Sequence, residues 1–125
     1  MNKDNLIFSI ISHLTSDLLK PQFRGNKNKL WGHCYVASET FYHLMGGDAS
    51  NFQPRIIKVN DINHWFLQDK ETGEIIDITA GQFDFNIDYS LMRKCRFLTK
   101  DPSLRAKKLI SRVLAVKECF YPSKQ

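Results

Sequence analysis

Two apolar runs separated by a polar turn constrain the fold more than any other feature of the chain. His64-Trp65-Phe66-Leu67-Gln68 is rich in aromatic residues and Glu74-Ile75-Ile76-Asp77-Ile78-Thr79 in β-branched ones, while Asp69-Lys70-Glu71-Thr72-Gly73 between them is polar and ends on glycine. This pattern specifies an antiparallel hairpin. With Asp69 to Thr72 as a four-residue loop and Gln68 opposite Gly73, His64 stands directly across from Asp77, and Trp65, Leu67, Ile76 and Ile78 share the other face. Directly opposed residues have Cβ atoms about 4.5–5.5 Å apart, so the carboxylate can hold an imidazole N–H. A slip of one residue would send the two to opposite faces.

Helices are expected around this hairpin. Asp4 is placed to cap a first helix running to about Leu19, on which Leu6, Ile7, Ile10, Ile11, Leu14 and Leu18 recur at helical spacing, and Pro21 ends it. Gln22 to Leu30 reads as a loop. A second helix is predicted from about Cys34 to Met45, stopped by Gly46-Gly47, where a left-handed backbone suits glycine. At about 100° per residue, Ala37, Phe41, Leu44 and Met45 fall within about 80° of Cys34, so the thiol begins the buried stripe. Arg55 to Val59 reads as a strand after a loop through Pro54, Ala80 to Phe85 as a departure from the sheet, and Cys95 to Leu98 as a further strand. Asp101-Pro102-Ser103 opens a last helix through about Val116, with Leu104, Ile110, Val113 and Leu114 inward.

At 125 residues, with 42% hydrophobic and 25% charged, the composition is that of one globular domain spanning 1–125, and the helices and hairpin read above make its expected class α+β. Its apolar stretches break long before the ~18 residues of a membrane span, so no membrane partner is expected. The first residues hold one Lys, no uninterrupted apolar region and no small-residue cleavage site, which makes the cytoplasm the expected compartment. Cys34, Cys95 and Cys119 are three, without a CxxC, and read as thiols rather than as a disulfide framework or zinc module.

The chemistry follows from order: a Cys beginning a helix, a His on a later strand, an Asp on that strand's partner. A thiol at a helix N-terminus lies beside the positive end of the helix dipole, a His beside it can take the thiol proton, and an Asp fixes the imidazole's tautomer. Backbone N–H groups at the helix start can receive a developing oxyanion. A Cys-His-Asp order with the nucleophile on a helix against an antiparallel sheet resembles the papain-like and transglutaminase-like fold. The local words Gly32-His33-Cys34, Gly46-Gly47, His64-Trp65-Phe66 and Ile76-Asp77-Ile78-Thr79-x-x-Gln82-Phe83 resemble the YunG-like family of small bacterial and phage proteins over residues 31 to 83.

That resemblance implies a triad of Cys34, His64 and Asp77, with Gln82 at the family's glutamine position, and peptidase, deamidase or acyl-transfer chemistry through a thioester without a cofactor. Where the family has Gln before the cysteine, this chain has His33. The oxyanion donor is then expected from His33, or from Gln22 or Asn28 reaching in. Trp31 and Trp65 flank two triad positions as candidate cleft residues, and the substrate class stays open between a peptide or isopeptide bond, a glutamine side chain and a small acyl compound.

Plainer readings stand beside these. A lone Cys on an apolar helical stripe is usually a small core residue, and a His before an aromatic strand is commonly structural. His43, nine residues after Cys34, lies about 180° around the helix from it, so those two cannot share an ion, and a Cys34–His33–His64 spacing matches no standard zinc pattern. No metal is expected. From Leu91 to Gln125 ten Lys/Arg face two acids, leaving the first ninety residues at −3. The alternative is therefore a non-enzymatic module that uses basic residues 93–117 to hold nucleic acid or an acidic partner protein.

Overall fold

The computed structural model describes residues 2–25, 28 and 30–120, and side chains through residue 116. The architecture is α+β: three α-helices and a four-stranded antiparallel sheet. Helix α1 (Lys3–Ser12) is capped by Asn2, whose side chain accepts from the Asn5 N–H, and not by Asp4, which falls within its first turn. It is also shorter than the apolar spacing suggests. After Ser12 the chain continues through a 3-10 turn at Ser16–Leu18, and Leu14 and Leu18 reach the core from there.

Helix α2 (Cys34–Leu44) is the hub, packed between α1, the sheet and α3 (Leu104–Phe120). It is therefore enclosed on nearly all sides, and every residue from Val36 to Tyr42 is buried, including Ser38, Glu39 and Thr40. A one-sided stripe underestimates this. The buried Glu39 carboxylate accepts the Ser103 N–H and hydroxyl, each at 2.7 Å, at the start of α3. A negative charge there meets the positive end of the helix dipole, and the two helices are pinned together. The inward face of α3 is Ala106, Leu109 and Val113, whereas Leu104, expected inward, is 83% exposed, being at the helix's first position.

Strands β1 (Phe52–Val59) and β2 (Ile62–Asp69) pair from end to end across Asn60-Asp61. Both turn residues have positive φ, 52° and 64°, as a two-residue hairpin with the right-handed strand twist requires. β1 begins before Pro54, which fits because β4 (Arg93–Lys94) pairs only with Arg55 and Ile56 and leaves that edge open beside the proline. The expected strand at Cys95–Leu98 is thus displaced to Arg93–Lys94. β3 (Ile75–Ile76) completes the order β3-β2-β1-β4.

Phe52, Leu67 and Ile76 face the helices in the main core with Leu6, Phe41 and Leu109. Alternation sends Ile57, His64 and Phe66 to the other face. There the segment after β3 provides cover: Phe83 meets His64 edge-on at 4.9 Å and Tyr89 meets Phe66 at 5.0 Å.

Candidate active site

The β2–β3 turn closes one residue later than expected, with Lys70 to Gly73 as its four loop residues and Asp69 opposite Glu74. Asp69 Oδ1 accepts the Glu71 and Thr72 N–H groups, the Gly73 N–H returns to the Asp69 carbonyl, and Asp69 N–H reaches the Glu74 carbonyl. The ladder therefore pairs Gln68 with Ile75 and Leu67 with Ile76, two residues away from the expected register. Because side chains alternate with period two, that displacement keeps every residue on its expected face.

β3 ends at Ile76, so the chain swings away where the ladder would have carried Thr79 opposite His64. From this departure Asp77 reaches His64: Nε2 lies 2.9 and 2.8 Å from the two carboxylate oxygens and donates to them. Both side chains are almost wholly buried. Tyr89 adds a contact that no pattern in the residues announces. Its hydroxyl donates to Asp77 Oδ2 at 2.6 Å, so one carboxylate serves two donors.

Cys34 is the first residue of α2, placed by Gly32 and His33. Gly32 has φ +80°, and a Cβ there would stand 3.0 Å from Leu19 and 3.1 Å from Phe23. Glycine is thus required twice, by conformation and by space. No side chain caps α2, so the N–H groups of its first turn point toward the sulfur's surroundings without an intrahelical acceptor.

Burial alone would lower the His64 pKa, yet hydrogen bonding to Asp77 and then to Cys34, with their charge, raises it from the ordinary ~6.5 to about 9. Asp77 occupies Nε2, which leaves Nδ1, otherwise unpartnered and buried, as the nitrogen on the Cys34 side. At neutral pH the imidazole keeps its proton. A cation beside a sulfur at a helix start is the arrangement that activates cysteines.

Cys34 and His64 share the wall of an open cavity of about 580 Å³ with Trp31, Trp65, Gln82 and Phe83. Gln82 ends a 3-10 turn, Ala80–Gln82, and its Oε1 is buried without a partner. Three expected residues are not brought here. His33 is buried, its Nε2 donating to the Thr15 carbonyl at 3.0 Å, because a residue just before the helix points back across the 13–18 segment. Gln22 lies exposed in the 3-10 turn Pro21–Phe23, of which Phe23 is the residue that lines the cavity. Asn28 bonds the Gly81 carbonyl and the Leu30 N–H, a strut under the 80–82 turn.

The basic residues of 93–117 do not form one free helical face. Arg93 and Lys94 are on β4, Arg105 is at the cavity, and Lys108 and Arg112 pair with Asp17 at 3.2 and 2.5 Å. The side chains of Lys117 and Cys119, and the whole of Lys124, lie outside the described residues. Among the described residues no group of three or more His, Cys, Asp or Glu could hold a metal, and no helix is long and apolar enough to cross a membrane. No protein-family profile, curated protein or solved structure matches the chain.

Proposed function

We propose that this chain is a thiol enzyme of the papain-like and transglutaminase-like type, acting on an amide or related acyl bond. The observation that carries the reading is the His64–Asp77 pair beside a helix-borne Cys34 in one open cavity. The resemblance to the YunG-like family supports it from the sequence side. Cys34 is the nucleophile: Sγ forms a bond to the acyl carbon, the carbonyl electrons move onto oxygen, and α2's first N–H groups with the Gln82 amide receive that oxyanion. On collapse the C–N bond breaks and His64 Nδ1 gives its proton to the leaving amine. A thioester remains. Water, or an acceptor amine, then attacks it while Nδ1 takes the incoming proton, and the Cys34 thiolate leaves. Asp77 holds the imidazole through Nε2 throughout, and Tyr89 holds Asp77.

4-Nitrophenyl acetate tests this reading without knowledge of the natural substrate. The native chain is expected to release nitrophenolate and to carry the acetyl group on the Cys34 peptide by mass spectrometry. His64→Ala is expected to lower the acylation rate at least about 100-fold. Release by Cys34→Ser as fast as by the native chain, or acetyl groups found only on lysines, would overturn it.

A further inference from the structure

The cavity beside Cys34 has a chemical bias of its own. At about 580 Å³ it is of a size that encloses a small organic group rather than a single methyl or amide. Its walls include the aromatic rings of Trp31, Trp65 and Phe83, all partly buried. At its mouth Ile62, Leu98 and Leu104 are 54%, 83% and 83% exposed, three large apolar side chains left in water around one opening. Such a cluster marks a surface that another apolar group covers.

The charges at this cavity are of one sign. Lys20 and Arg105 line it, and no Asp or Glu does among the described residues. Neither cation has an ion-pair partner among the described residues, whereas Lys108 and Arg112 of the same helix as Arg105 are both engaged by Asp17. Glu39, the buried acid at the start of that helix, is held by Ser103. The field at the mouth is therefore positive, and low-dielectric aromatic walls concentrate it.

We propose that this cavity selects acyl groups that carry both a large apolar moiety and a negative charge, Lys20 and Arg105 being the specificity-determining residues. The inference names the substrate class of the Cys34 site and rests on reading Cys34 as the nucleophile. An unadorned glutamine side chain meets neither feature, and a polycationic peptide is opposed by the field. The shared chemistry fits a small aryl or alkyl acid and an acidic, apolar peptide segment.

Alkylation of Cys34 in the full chain, read by peptide mass, measures the selection separately from turnover. Four iodoacetyl reagents are compared, each rate divided by that with 2-mercaptoethanol: iodoacetamide, N-phenyl iodoacetamide, its 4-trimethylammonio derivative, and the naphthalenesulfonate reagent IAEDANS. The expected order is IAEDANS, then N-phenyl, then the ammonium reagent, with IAEDANS at least about tenfold above iodoacetamide and saturating. In Lys20→Ala/Arg105→Ala the ratio of IAEDANS to N-phenyl rates is expected to fall to about one, and in Lys20→Glu/Arg105→Glu the ammonium reagent leads. An IAEDANS rate no higher than the N-phenyl rate, or a preference that survives the double alanine change, would overturn the proposal.

Protection at millimolar concentration distinguishes the sources. Slowing by 3-phenylpropionate points to a free acid, slowing by acetyl-Glu-Phe-amide alone points to a peptide, and slowing by neither overturns the selection. If His64→Ala leaves the iodoacetamide rate unchanged, the enzyme reading fails, while the reagent ranking is still decided on its own terms.

Discussion

Cys34 and Cys95 are both partly buried, yet they occupy opposite chemical situations. Burial pushes the Cys95 thiol up to about 11, against a lesser opposing pull from Arg55 and Arg93. Arg55 donates to the Pro54 carbonyl and to the Gln53 and Gln68 side chains, so its charge is already solvated by the protein. Cys34 has instead a helix start behind it, an imidazole held protonated beside it and a cavity in front. The contrast teaches that nearby positive charge is not enough. What differs is an imidazolium with one nitrogen anchored on a carboxylate and the other facing the sulfur.

The two thiols are expected to differ most in their rates of alkylation. At pH 7 a thiol of pKa about 11 is thiolate in only ~10⁻⁴ of molecules, so iodoacetamide is expected to modify the Cys34 peptide at least ~10³-fold faster than the Cys95 peptide. Part of that ratio would arise with any ordinary thiol. His64→Ala isolates the remainder, and the Cys34 rate at pH 7 is expected to drop about tenfold while the Cys95 rate holds. Equal Cys34 rates in the two proteins would show that the imidazole does not act on the sulfur.

Much of this contrast is legible in residue order, and the reasons it is not wholly so are physical. The helix from Cys34 to the glycines, the hairpin, and the His64–Asp77 contact all follow from local pattern. The contact forms through a register two residues away from the expected one, and it survives because the strand period is two. Asn60-Asp61 carried a readable turn signal, two residues that tolerate positive φ between apolar runs, and the β1–β2 hairpin could have been placed from it. Tyr89 could not. It approaches from an irregular segment whose path is set by packing of Phe83 and Tyr89 onto His64 and Phe66. The same limit applies to Leu104 and Arg105: apolar spacing along α3 is ambiguous until Ala106, Leu109 and Val113 have chosen the inward face.

The imidazole that distinguishes the two thiols also gives stability a pH dependence. His64 titrates at about 9 in the fold and near its ordinary ~6.5 when unfolded. Its folded pKa is raised, so its contribution is fully present below about pH 6.5 and is lost as pH rises through 9. The thermal midpoint is expected to fall on the order of 5 °C across that window, and Asp77→Asn, which removes the main partner of the imidazolium, is expected to flatten the slope. A native midpoint that is level from pH 6.5 to 9 would contradict the raised value. The Cys95 thiol, ordinarily at ~8.5 and pushed up to about 11 in the fold, adds only a smaller fall of the same sign at the upper end of this window, which Cys95→Ser removes.

The smallest expected effect belongs to Tyr89→Phe. The ring remains against Phe66, and only the hydroxyl donated to Asp77 Oδ2 is lost. Without it one oxygen of a nearly buried carboxylate keeps the His64 N–H as its donor, and the carboxylate gains freedom to turn. A positioning role predicts a two- to fivefold slower Cys34 alkylation at pH 7, with the Cys95 rate unchanged. It also predicts that Tyr89→Phe has no effect in a His64→Ala background, because the hydroxyl then has no imidazole to orient. A merely structural hydroxyl would lower the thermal midpoint equally in both backgrounds and leave the Cys34 rate alone. The double-mutant cycle between Tyr89 and His64 thus separates orientation from packing, since the two readings differ in the coupling and not in the size of the single change.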